Sequence, residues 1–373
     1  MDKFSFVIHN TDWKMIARAF DEPLLGFEKN DSQKMRMAER AFRWTSPFKY
    51  STITGIRSKT GAQVEGYFIF SMLVPEQFLG MKEDVVLRHL EKAGEISKKN
   101  GSKILGLGAY SALVGKRGVE LAKRIDMPVT TGSTYTVAAL IDAVCLAAEH
   151  VKLDTKSSNC VIVGATGKIG CVCAKIFAKE GRFKKLTLVA RNLSRLDNLR
   201  DSLKKDGDNE KVEITTTVDL KSALKEGDVV IFTTNFPETM VDENDFSPGA
   251  IVCDASVPKN VPLEIFKKRD DMLLFEGGII KPPGNVDFNF YFGPDKGFAY
   301  ACIAETMILA LEKRFENYSL GSDIDINKVM EIREMAEKHG FIVEALRTQY
   351  GCNSEQRIGK AQKMIAKKKK YLK

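Results

Sequence analysis

Residues 159–180 constrain the fold most. A short apolar, β-rich run, Asn159–Gly164 (NCVIVG), meets the turn Gly164–Gly170 (GATGKIG), and a helical pattern over Lys168–Glu180 follows at once. The three glycines of G-x-x-G-x-x-G have separate uses. Gly164 allows a tight turn, Gly167 lets the backbone approach a pyrophosphate, and Gly170 lets helix and strand pack closely. Unpaired N–H groups at a helix start then attract the anion. A glycine-rich structural turn is the plainer alternative. The strand before, the helix after and a second strand about twenty residues on favour a dinucleotide loop. No G-K-[ST] follows, which excludes a P-loop.

The rest of this region repeats the alternation. Strands are expected at Leu186–Ala190, Val212–Thr216, Asp228–Thr234, Ala250–Ala255 and Leu273–Ile280, with a helix at Ser194–Lys205. Strands alternating with helices over short connections predict an α/β fold, a Rossmann-like parallel sheet with helices on both faces. The expected cofactor ligands are Gly164, Ala165, Thr166, Gly167, Lys168, Ile169 and Gly170, with Thr233 at the end of the fourth strand. After the second strand, where an NAD site places an acid on the ribose, the chain reads Ala190-Arg191-Asn192-Leu193-Ser194-Arg195. Arg191 and Arg195, with Asn192 between them, suit a 2′-phosphate, so NADPH is expected over NADH. The alternatives are a surface Arg, and Asn192 or Ser194 as the N-cap of the next helix.

At 373 residues the chain is long enough for two domains. Strands at Tyr50–Ile56 and Gln63–Ser71 and helices at Lys82–Asn100, Gly118–Arg124 and Thr134–Val151 predict an N-terminal α/β substrate domain over 1–150. The dinucleotide domain spans 151–297. C-terminal helices over 298–353, including Ala299–Phe315 and Ile326–Lys338, can stay with the sheet or return to the first domain, and a tail runs over 354–373.

Charge and cysteine usage exclude other classes. The net charge is +8, and Ser354–Lys373 holds eight Lys/Arg against one acid, so the body is near neutral and is no nucleic-acid platform. Ile358, Ala361, Met364, Ile365 and Leu372 give the tail a near-helical apolar spacing. It is either a solvated, frayed end or a docking element for an acidic carrier or an anionic membrane. Seven Cys and four His, with C-x-C at 171–173 unpartnered by a second such pair, give no zinc pattern. No apolar run approaches the ~18 residues of a membrane span, and Phe4–Ile8 is too brief for a signal peptide, so a cytoplasmic protein is expected.

Cys302 stands where Gly293-Pro294-Asp295-Lys296-Gly297 gives way to a strong helical pattern. A helix start favours thiolate, although a Cys among Ala and Ile also fits a small buried hydrophobe. The motifs GATGKIG, ARNLSRLDNL, VPKN at Val257–Asn260, EGG at Glu276–Gly278, ACIAETMILALE around Cys302 and MAEKHGF come in one order. VPEQFLG at Val74–Gly80, LGLGAYSA at Leu105–Ala112 and TTGSTYT at Thr130–Thr136 precede them. In this combination the chain resembles the long-chain fatty acyl-[acyl carrier protein] reductases of cyanobacteria. The resemblance implies NADPH-dependent reduction of an acyl carrier protein or coenzyme A thioester to a fatty aldehyde, with Cys302 carrying the acyl group. Thr131, Ser133, Thr134 and Tyr135 are then candidate donors to the developing oxyanion, with an ordinary helix N-cap as the alternative. Lys259 is a candidate phosphate or oxyanion ligand, or a solvated loop Lys. The family reads T-T-G-N-T-H-T where this chain has Ser133 and Tyr135, and the tail extends past the family's usual end. Two other functions fit the same sheet: a dehydrogenase of a small polar acid, and a non-catalytic NADP-binding protein.

The arginine pair leads to a direct test. Arg191→Ala should weaken NADPH binding by about ten- to a hundredfold, the value of one charge-assisted contact, and leave NADH nearly unchanged in a fluorescence titration. Equal loss for both cofactors would show that Arg191 only supports the fold.

Overall fold

A strand buried on both faces requires a mostly apolar run, and Phe4–Ile8 is such a run with Ser5 as its one polar residue. In the structure, a computed structural model, it is the inner strand of a sheet, with Ser5 bonded to Ser102 at 2.7 Å. The structure describes residues 1–9, 42–205, 212–234, 241–257, 259–348 and 351–371; Pro258 of the VPKN motif and Leu372 of the tail lie outside these. In chain order the strands begin β1 Asp2–His9, β2 Phe48–Arg57, β3 Gln63–Ser71, β4 Leu105–Leu107, β5 Val129–Thr130, β6 Asn159–Val163, β7 Lys185–Val189, β8 Glu213–Thr217, β9 Val229–Phe232, β10 Ile251–Asp254, β11 Leu273–Phe275, β12 Ile279–Lys281 and β13 Gly284–Asp287, and short strands follow at Ala299–Tyr300, Ile342–Glu344, Arg347–Thr348 and Gly351–Cys352. The chain divides into two units. One comprises Met1–Tyr135, Lys281–Asp323 and Glu331–Ile342; the other comprises Thr136–Ile280, Ile324–Met330 and Val343–Lys373.

The first unit is built on a mixed sheet of order β13-β2-β3-β1-β4-β5. Strand β1 pairs in parallel with β3 and β4, while β2 runs antiparallel to β3. Val7, Ile69, Leu105 and Leu107 point to one face and pack on Val86, Leu87 and Leu90 of helix Glu83–Lys99. Phe4, Phe6, Phe68 and Phe70 point to the other, each no more than 2% exposed. Helix Ala301–Leu311 packs on β1, β3 and β4, so the cysteine helix returns to the first unit. It begins later and ends earlier than the expected 299–315, because Ala299–Tyr300 is extended and Lys313 turns into the left-handed region at φ 57°.

The second unit carries the expected parallel sheet, of order β11-β10-β9-β6-β7-β8. The order reverses between β6 and β9, which makes their carboxyl ends the switch point where ligands bind. The strand expected over Leu273–Ile280 is two strands. The ladder to β10 ends at Phe275, and Gly277–Gly278 turns the chain before β12.

The tail is a helix, Glu355–Tyr371, packed on this second unit. Ala361 and Ile365 are buried, and Gly249 lies so close that a Cβ there would stand 3.1 Å from Ile365. The Arg357 guanidinium stacks over Phe266 at 4.0 Å, and Lys368 pairs with Asp228 at 2.7 Å. A freely solvated, frayed end is therefore corrected: apolar burial and ion pairs hold the tail beneath the amino ends of β9, β10 and β11. Lys363 and Lys367 stay exposed. Among the described residues no helix is long and apolar enough to cross a membrane.

Ile365→Asp should lower the unfolding temperature by several degrees, since a buried charge and a lost apolar side chain together cost about 2–4 kcal/mol. Lys367→Ala, on the exposed side, should leave it in place. Equal curves for the two variants in a thermal melt would contradict the packed tail.

Candidate functional site

The glycine loop forms a cradle at the switch point of the second unit. Gly164 leaves β6 with φ +83° and, like Ala165, donates its N–H to the Val189 carbonyl. Gly167 caps helix Lys168–Glu180 and makes no side-chain cap bond, and the N–H groups of a helix start attract an anion. A Cβ on Gly170 would stand 2.6 Å from both the Gly164 carbonyl oxygen and Thr233 Oγ1, so only glycine fits. Thr233 fastens the neighbouring strand end, its N–H and its hydroxyl each 2.9 Å from the Val163 carbonyl. A glycine turn leading into a helix start whose cap carries no side chain suits a pyrophosphate.

The expected 2′-phosphate residues lie beside it. Arg191 and Arg195 are exposed just beyond β7, and the Arg195 guanidinium reaches the Thr166 carbonyl at 3.5 Å. Asn192 is the N-cap of helix Leu193–Lys205, its side chain accepting from the Arg195 N–H at 3.0 Å. Lys259 is neither a solvated loop residue nor an open anion site. Its ammonium lies 2.9 Å from Glu276 and 2.9 Å from the Asp254 carbonyl. Asp254 in turn accepts three backbone N–H bonds, from Ser256, Asn260 and Val261.

In the first unit, Cys302 is the second residue of its helix, with Tyr300 as the N-cap. Two glycines shape its surroundings. At Gly132 (φ +70°) a Cβ would fall 2.2 Å from Cys302 Cα, and at Gly108 one would meet the sulfur at 3.6 Å. The T-T-G turn thus presses on the cysteine's own backbone. Burial pushes the thiol up to about 12, against the opposing hydrogen bond from the Ile303 N–H, and the Glu305 charge adds to the rise. The helix start does not offset desolvation, so the resting group at neutral pH is a thiol.

Glu305, one turn further on, organises Thr130–Tyr135. It is fully buried. Its carboxylate accepts from the Thr130 hydroxyl, from Ser319 Oγ at 2.6 Å and from the Tyr135 N–H at 2.7 Å. The last donor belongs to the first turn of helix Ser133–His150, where negative charge is favoured. Thr131 and Ser133 direct their hydroxyls to the Ser319 carbonyl, at 2.5 and 3.3 Å. The Thr134 hydroxyl lies 2.6 Å from Ser319 Oγ, and the Tyr135 ring is buried edge-on to Phe341. Of the Thr130–Tyr135 segment it is Gly132 that lies against Cys302, while the hydroxyls of Thr131 and Ser133 bond to the Ser319 carbonyl and the Tyr135 N–H to Glu305. The donor on the sulfur is a backbone N–H of its own helix.

Glu305, Ser319, Gly108 and Gly132 are the residues that sequence reasoning passed over. A Glu in the middle of the apolar segment ACIAETMILALE was the available signal. Ser319 had none, because its partners are distant in sequence.

A thiol buried to this degree predicts its own pH response. Alkylation of Cys302 by iodoacetamide should climb about tenfold per pH unit from 7 to 10 without a plateau, because only the thiolate reacts. Glu305→Gln removes a negative charge and should raise the rate at every pH. A plateau below pH 9, read by peptide mass, would contradict the buried thiol.

Residues 145–275 match the family model described as Shikimate / quinate 5-dehydrogenase. The aminotransferase PigE of a Serratia species is 26% identical over 351 residues, 92% of this chain and 40% of that protein, so the chain spans well under half of that relative. The long-chain acyl-[acyl-carrier-protein] reductase of Synechococcus elongatus is 27% identical over 301 residues, 77% of this chain and 84% of that one. Among solved structures, L-tryptophan dehydrogenase from Nostoc punctiforme aligns with 99% of this chain and 89% of its own at 10% identity, with a TM-score of 0.41. The dehydrogenase model falls on the stretch that holds the glycine cradle, and together they support an NAD(P)-binding oxidoreductase.

Proposed function

We propose that the protein reduces a fatty acyl thioester to the fatty aldehyde with NADPH, the acyl group passing through Cys302. The observation that carries this reading is the placement of Cys302 at a helix start, with glycines at 108 and 132 packed so closely against its sulfur and backbone that a larger residue at 132 would collide with it. The relative named as an acyl-[acyl-carrier-protein] reductase, similar over 77% of this chain, supports the same substrate class.

The chemistry balances on this chain's residues. The Cys302 sulfur attacks the thioester carbonyl and its bond to the carrier sulfur breaks. Cys302 gives up its proton as it attacks and the departing carrier sulfur takes one up, so the exchange is proton-neutral overall. The first-turn N–H groups of the cysteine helix are the donors nearest the carbonyl oxygen as its charge grows. Bound NADPH supplies the hydride that reduces the acyl thioester. A proton taken up by the Cys302 sulfur then accompanies release of the aldehyde and restores the thiol. The acyl donor is a carrier protein or coenzyme A thioester, and the exposed Lys363 and Lys367 offer an acidic carrier a contact.

A second reading, a dehydrogenase of a small polar acid, is favoured by the family model matched over 145–275. Intact mass after incubation with acyl-CoA and no NADPH separates the two. An acyl adduct that disappears in Cys302→Ala is expected, and Cys302→Ala and Cys302→Ser should both abolish aldehyde formation while NADPH still binds. Substantial turnover in Cys302→Ala would refute the covalent route, and NADPH-linked activity confined to amino or hydroxy acids would establish the second reading.

A further inference from the structure

The turn facing the Cys302 sulfur is strained. It is a 3-10 turn, Ala109–Leu113, entered at Gly108. Ala109 takes φ 47°, in the left-handed region that favours glycine. Strain of this kind persists only where neighbours impose it, and it concentrates at functional sites. Gly108 sits between the Phe6 ring, 2.7 Å from where a Cβ would be, and the Cys302 sulfur, 3.6 Å from the same point. Ser111 ties the turn to itself, its hydroxyl donating to the Gly108 carbonyl at 2.8 Å.

The second restraint comes from β1. Val7 pairs with Leu107 of β4, so the end of β1 runs alongside this turn. His9, the last residue of β1, is 4% exposed, with its ring between Phe78 at 4.7 Å and Tyr110 at 5.7 Å. Its Nε2 lies 3.1 Å from the Tyr110 N–H nitrogen and 3.4 Å from that of Ser111. Two N–H donors converge on this one ring nitrogen, which accepts from them when the ring hydrogen is on Nδ1, and the Gly108 carbonyl lies 3.3 Å from the same atom. The imidazole thus caps the start of the turn as a side-chain oxygen would cap a helix.

We propose that His9 is a positioning residue for Cys302. Its Nε2 holds the Tyr110 and Ser111 amides, and through them keeps the strained Gly108 turn against the sulfur as one wall of the space the acyl group enters. This rests on the acyl-transfer reading of Cys302, and the test separates the two. Gln places an amide oxygen near Nε2, whereas Phe keeps the ring shape without an acceptor.

His9→Phe should lower kcat for aldehyde formation by about tenfold and leave the KM for NADPH in place, with only a small fall in unfolding temperature from the two amides left without an acceptor. It should also raise the rate at which iodoacetamide alkylates Cys302 by about threefold, because the released turn lets water and reagent reach the sulfur. His9→Gln should restore both to within about twofold. Opposite movement of turnover and thiol reactivity, rescued by Gln, is not what a general loss of stability produces. Unchanged rates in His9→Phe, equal losses in both variants, or a fall in unfolding temperature that accounts for the lost turnover would overturn the proposal. If the unaltered protein forms no aldehyde from any thioester, the acyl reading fails. The alkylation comparison still decides for His9, and equal rates in all three proteins would overturn its role.

Discussion

A carboxylate removed from water has to be satisfied where it stands, and Glu305 is the group around which the first unit's site is arranged. Burying it without partners would cost several kcal/mol. Instead it takes hydrogen bonds from Thr130, Ser319 and the first turn of helix Ser133–His150. Those contacts join the cysteine helix, the end of β5 and the segment after that helix. Because Glu305 lies one turn from Cys302, fixing the carboxylate also fixes the thiol. Gly132 completes the arrangement, since any side chain there would collide with the cysteine backbone. The same negative charge works against the thiolate, as does burial. The site is therefore ordered at the expense of an acidic thiol.

The second unit separates its tasks along the strand direction. At the carboxyl ends of β6 and β9, glycines and Thr233 leave a cradle of backbone groups. At the amino ends of β9–β11, the tail helix covers apolar surface and pairs Lys368 with Asp228. Among the described residues, the basic side chains that read as one charged block fall into two sets. Arg357, Lys360 and Lys368 are engaged with the unit, while Lys363 and Lys367 face outward. The folded tail buries Ala361 and Ile365, the apolar side chains that a membrane-surface helix would otherwise present.

Local signals were legible where the physics is local. The strand, glycine loop and helix of 159–180 follow from apolar periodicity and from the tight packing that glycine permits, and all three stand in the structure. Asn192 was readable as a cap because capping acts across three residues. Phe4–Ile8 was underread for the opposite reason. A strand buried on both faces shows no alternation, and what makes it a strand is pairing with residues 64–71 and 105–107. The break at Gly277–Gly278 was hidden within a continuous apolar run.

By itself the sequence determined the doubly wound sheet, the position of the phosphate loop, and Cys302 as a residue near a helix start, because periodicity and glycine placement are short-range properties. Tertiary structure alone decided what surrounds that cysteine. His9, Gly108, Gly132 and Ser319 come from four separate stretches of chain, and nothing in their local sequence says they converge. It also decided the state of the thiol, since desolvation depends on every neighbour packed around the sulfur and not on the residues beside it in the chain.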